Sequence, residues 1–122
     1  MTLGEALALT DRLRPNDCGE DLKRRWISEL EGLVCHGILA GTGEGPDTVP
    51  VYGEDTDAGV ALLVPPPYDG LYALYLMMQL ELRQGETTAY QNAAAVFQTA
   101  WDRYAARHNR TRGRTACPGL RF

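Results

Sequence analysis

The residues of this chain that could do chemistry are few, and their spacing suits none of the common catalytic or ligating arrangements. His36 and His108 are the only histidines. Cys35 and His36 are adjacent, and neighbours on a helix point about 100° apart, so the pair cannot grip one metal ion. His108 continues an apolar helical stripe, which suits packing or capping better than ligation. Cys18, Cys35 and Cys117 match no C-x-x-C spacing and no disulfide framework. Widely spaced cysteines of odd number imply reduced thiols in an intracellular protein. Glu54, Asp55 and Asp57 lack the alternating acids, central glycine and closing glutamate of a calcium loop. The glycine-rich stretch 41–45 leaves a helix rather than entering one and has no lysine after it, unlike a phosphate loop. The one serine, Ser28, lies mid-helix, far from a nucleophile's G-x-S-x-G setting. The reading is therefore of a protein without catalytic, metal-binding or cofactor-binding residues.

Charge is the more telling pattern. The net charge is -4, yet between Trp26 and Leu82 there is no Lys or Arg, while acids recur from Glu29 to Glu81. Beyond Asp102 the balance reverses, with Arg103, Arg107, Arg110, Arg112, Arg114 and Arg121. Such asymmetry can serve nucleic-acid binding, or pair one subunit's acidic loop with another's basic end. Glu54, Asp55, Asp57, Arg107, Arg110, Arg112 and Arg114 are accordingly the candidate subunit or partner contacts. An overall acidic chain argues against a dedicated DNA binder. No apolar run is long enough to span a membrane, and the N-terminus does not read as a signal peptide.

The elements that must position these residues read as an all-α fold of four helices, at about 2–14, 19–39, 67–84 and 86–108. Thr2 and Glu5 form a capping box ahead of Leu3, Ala6, Leu7, Thr10 and Leu13; Pro15 then ends the first helix. In the second, Leu22, Trp26, Leu30, Leu33, Val34 and Ile38 keep a three-and-four spacing, with Lys23, Arg24 and Arg25 expected to face solvent or a partner. Gly32 and Gly37 weaken this helix or admit a close neighbour. The segment 41–64 reads as a long projecting loop with room for a short β-hairpin. The stretch 65–110 reads as two amphipathic helices joined at Gly85, with Tyr68, Tyr72 and Tyr75 on one stripe and Tyr90, Phe97, Trp101 and Tyr104 on the other. Those seven aromatics, with Trp26 and Leu30, form the expected core. The third helix is apolar nearly all round, which places it at the centre of the fold or under a neighbouring subunit. Residues 1–108 make one domain, and 109–122 a flexible basic tail.

Taken together, the chain resembles the head–tail connector, or head-completion, proteins of long-tailed phages and prophages. The resemblance covers nearly the whole chain. It begins with Leu13-Arg14-Pro15-Asn16 and continues through Lys23 to Trp26-Ile27-Ser28-Glu29-Leu30-Glu31-Gly32. It is strongest in Leu63-Val64-Pro65 and Pro67-Tyr68-Asp69-x-Leu71-Tyr72-x-x-Tyr75-Leu76. Gly85-Glu86, Tyr90-x-Asn92, Phe97, Tyr104 and Asn109-Arg110 follow in order. The glycine-rich loop after Ala40 and the arginine-rich C-terminal end depart from the family's usual pattern. The resemblance implies a non-enzymatic virion structural protein that forms a ring of twelve copies beneath the portal. Its partners would be further copies of itself, the portal protein, a stopper or tail-completion protein and, transiently, packaged DNA. Its location would be the virion and, during assembly, the bacterial cytoplasm. The alternative reading is a small regulatory or nucleic-acid-binding helical module using the Arg107–Arg114 region.

Overall fold

The computed structural model describes residues 1–40 and 45–116, the side chains of 109–116 excepted. The chain forms α1 (Leu3–Leu13), α2 (Glu20–Val34) running into a π-helical turn (Cys35–Leu39), α3 (Leu71–Gln84) and α4 (Thr87–Ala116). The all-α expectation holds, and no strand is present among the described residues. The expected hairpin is absent there too; its place is taken by one isolated bridge between Thr2 and Ala61.

Helix α3 is the hub. It packs against α1, α2 and α4, so most of its nearly continuous apolar surface is covered within the subunit. Leu71, Tyr72, Tyr75, Leu76 and Leu80 join Leu3, Ile27, Leu30 and Val34 in one core. Of the aromatics expected inside, Trp26, Tyr72, Tyr75, Phe97 and Tyr104 are buried. Tyr68 and Trp101 are partly buried against the core, and Tyr90 lies half-buried outside it. Leu13, Leu33 and Leu82, though at stripe positions, are about half exposed (55%, 49% and 54%), each at the edge of its helix's contact.

The helix boundaries shift for local reasons. α1 starts as expected, with the Thr2–Glu5 capping box formed in both directions. α3 starts at Leu71 rather than 67. The chain turns there instead, with the Tyr68 amide donating to the Pro65 carbonyl at 2.9 Å. Gly85 closes α3 at φ 77°, a left-handed conformation that glycine adopts without steric cost. α4 does not stop at 108. It runs helically to Ala116, so the expected flexible tail is helical over most of its length; residues 117–122 lie outside the described part.

Candidate functional site

The segment 45–64 is not a projecting loop. It lies as a strap across α1 and α2, and its backbone groups find partners on both. The first turn of a helix leaves amides without intrahelical acceptors. In α1 the strap supplies them, with Leu3 N–H donating to Val60 O at 3.0 Å and Gly4 N–H to Ala58 O at 2.8 Å. Leu62 N–H returns a bond to Met1 O at 3.0 Å. Ser28 of α2 accepts from the Tyr52 amide of the strap at 2.8 Å. Two further α2 side chains, neither expected to, hold it more extensively.

The first is Arg24. It is buried rather than solvent-facing, and its Nη1 donates to the carbonyls of Gly53 at 2.6 Å and Thr56 at 2.8 Å. Its Nη2 pairs with Glu20 at 3.1 Å. Lys23 is buried as well, its ammonium 2.6 Å from Asp11, which ties α2 to α1. Burial raises the Asp11 carboxyl, but hydrogen bonds from Lys23 and Asn16 and the Lys23 charge outweigh it, leaving Asp11 below the usual carboxylate range. Each charged head finds acceptors while its apolar stem packs, which lets both sit this deep.

The second is Glu31, which is completely buried. Tyr52 Oη donates to its Oε2 at 2.7 Å, and the Leu63 amide donates to the same oxygen at 3.0 Å. Tyr72 Oη donates to Oε1 at 2.5 Å and accepts from the Val64 amide at 2.8 Å. One carboxylate thus joins α2, the middle and the far end of the strap, and α3. Burial and the Glu31 charge push the Tyr72 hydroxyl far above its ordinary range; burial and the Glu31 hydrogen bond do the same for Tyr52. Both phenols therefore stay protonated as donors. Burial, then the Glu31 charge, also raises the Cys35 thiol, which keeps it protonated and weakly reactive.

The strap displays the acidic candidates outward. Glu54, Asp55 and Asp57 are exposed, and none forms an ion pair among the described residues. Glu54 edges a shallow polar recess of about 320 Å3 shared with Glu20, Asp21 and Arg24. Arg107 is on α4, its Nη1 3.5 Å from Tyr68 Oη, and the structure does not bring it to the acids. Arg110, Arg112 and Arg114 belong to the last turns of α4, and their side chains lie outside the described residues. Among the described residues no three His, Cys, Asp or Glu side chains group to hold a metal ion, and no helix is long and apolar enough to cross a membrane.

A second surface opens between α2 and α4. Here the π-turn carries Ile38 and Leu39 inward together, and Gly37 faces Trp101. A Cβ on Gly37 would stand 3.3 Å from Trp101 Cζ2, so glycine is what admits the indole. Glu29, Leu33, His36, Gly37, Tyr75 and Trp101 line an open groove of about 640 Å3. π-turns cost helical regularity and recur at functional sites.

Comparison with protein-family models, with curated proteins and with solved structures gave no match.

Proposed function

We propose that this chain is a head–tail connector subunit, a non-enzymatic structural protein that assembles head-to-tail into a ring between a phage portal and its tail. The observation that carries the reading is the ordered series of family-like residues, densest at the junction of strap and α3. In that series Val64 and Tyr72 are the pair joined at 2.8 Å, beside Glu31 of the same resemblance. Residues that set a fold's least forgiving hydrogen bonds are those whose order and spacing carry the most information about it.

The distribution of charge supports the reading. A ring contact is heterologous, so each subunit needs two unlike, complementary patches. The strap presents exposed acids, and α4 ends in arginines. At about 1.5 Å per residue α3 spans about 21 Å and α4 about 45 Å, so α4 overhangs its support. Arg110, Arg112 and Arg114 lie in the last turns of α4, beyond Arg107, whose Nη1 still reaches Tyr68 Oη at 3.5 Å. In the virion the ring would meet the portal on one side and a stopper or tail-completion protein on the other, with DNA passing through it.

The test is reciprocal charge reversal read by light scattering and negative-stain microscopy. Asp55→Arg with Asp57→Arg, or Arg110→Glu with Arg112→Glu, should block ring formation, and the combined chain should recover it. If the combination stays unassembled while the native chain forms rings, this pairing is wrong. A native chain that stops at a dimer at every concentration would remove the connector reading itself.

One observation favours a second reading. Because α4 stays helical to Ala116, positions 103, 107, 110 and 114 recur every three or four residues, along one side of the helix. A basic stripe of that kind can follow a phosphate backbone. Duplex DNA bound at moderate salt, and lost on Arg110→Ala with Arg114→Ala, would favour the nucleic-acid-binding module.

A further inference from the structure

We infer that the groove between α2 and α4 is a docking site for the segment 117–122 of a second copy of this chain. In that arrangement Leu120 and Phe122 fill the apolar floor, and Arg121 pairs with Glu29 at the rim. The inference deepens the connector reading by naming one contact through which copies associate.

The groove is apolar where it should not be if it faced only water. Leu33 stands 49% exposed at its edge, and the partly buried Trp101 forms its wall beside Gly37. Its charge is one-sided. Glu29 is exposed on the rim, and no Lys or Arg occurs between Trp26 and Leu82, so the α2 and α3 walls offer no cation of their own. A fitting occupant is therefore short and apolar with one basic group. The sequence after α4, Cys117-Pro118-Gly119-Leu120-Arg121-Phe122, has that composition. The last turns of α4, 109–116, do not, having three arginines and a single alanine as their only apolar residue.

Distance decides which copy supplies the occupant. Ala116 lies fifteen residues beyond Trp101, which is about 22 Å along the helix. Even fully extended, Leu120 reaches only about 14 Å back from Ala116, and Phe122 about 20 Å. Leu120 stays about 8 Å short of its own groove even when Phe122 nearly reaches it, so the two cannot seat there together, and the groove they fill belongs to another molecule. Each copy then gives a segment at one place and receives one at another, which is the heterologous geometry that propagates into a ring.

The experiment uses the full chain carrying Leu120→Ser and Phe122→Ser as receptor, so that its groove is intact and its own segment disabled. The probe is a synthetic peptide of residues 115–122, followed by Trp fluorescence; Trp101 lines the groove while Trp26 is buried in the core. Saturable binding is expected. Leu33→Lys in the receptor should weaken it about tenfold, and Glu29→Lys about fivefold, the size of one partly exposed ion pair. An Arg121→Glu peptide should regain affinity for the Glu29→Lys receptor. Leu33 and Glu29 are exposed, so these receptors should fold, as circular dichroism would verify. No saturable binding, or binding indifferent to both substitutions, overturns the docking. Rings formed undiminished by the Leu120→Ser, Phe122→Ser chain would also overturn it while leaving the connector reading intact. Peptide binding of the expected pattern, in a native chain that never passes a dimer, would uphold the docking and remove the connector.

Discussion

The strap and α4 are held to the rest of the helical body in opposite ways. The strap is pinned by directional bonds: Glu31 to Tyr52, Tyr72 and the Leu63 amide, and Arg24 to the Gly53 and Thr56 carbonyls. α4 is held by rings, with Tyr75 and Phe97 centroids 5.3 Å apart and Tyr68 and Tyr104 5.4 Å. Aromatic contacts tolerate small shifts, whereas a buried carboxylate with three donors has one satisfactory geometry. The comparison teaches that the strap has one well-bonded geometry, whereas the packing of α4 tolerates small shifts.

Breaking the carboxylate node should have the largest effect. Glu31→Ala leaves two phenols and an amide unpaired in the interior, and should lower unfolding free energy in urea by about 3–5 kcal/mol. A loss below about 1 kcal/mol would mean that the strap is held by packing, and the contrast would fail. Arg24→Met keeps the stem but strands two strap carbonyls near the surface, and should cost about 2 kcal/mol. It should also speed amide exchange at 53–60 while leaving α4 protected.

Alkaline titration sharpens the same contrast. Tyr72 and Tyr52 have hydroxyl pKa values raised above the unfolded value, so their contribution is complete below about pH 10 and is lost as pH rises further. Above that pH the unfolded chain has released protons that the folded chain retains, so stability should fall by up to about 1.4 kcal/mol per pH unit for each tyrosine. Tyr72→Phe should flatten the decline measured by denaturant titration between pH 9 and 11; an unchanged slope would show that Tyr72 ionises freely in the folded chain. The smallest effect belongs to α4, where Phe97→Leu should cost about 1–1.5 kcal/mol, because a ring contact is lost but the volume is largely kept. A loss as large as that of Glu31→Ala would erase the distinction between the two regions.

Much of this architecture was legible in the residues. The capping box at Thr2, the glycine stop at Gly85 and the central, over-apolar α3 all follow from local pattern. Such features depend on neighbours three or four residues away, and the sequence displays those directly. The contact candidates were legible as charge but not as a site. Glu54, Asp55 and Asp57 are exposed on the strap, yet nothing near them in the chain indicates that Arg24, some 30 residues earlier, holds their backbone.

By itself, then, the sequence determined the four helices, their apolar faces and the separation of acids from arginines. Only the tertiary structure decided that Lys23, Arg24 and Glu31 are interior groups. On a helical wheel Lys23 falls on the apolar face with Ile27, Leu30 and Val34, and Glu31 and Arg24 at its margin, where charges are ordinarily excluded. Their burial depends on partners 12 to 41 positions distant. It also decided that 45–64 is a strap and that α4 continues to Ala116. Periodicity reports which face of a helix is apolar. Whether a charged group can be buried depends on whether distant donors and acceptors converge on it, and that is settled only when the chain has folded.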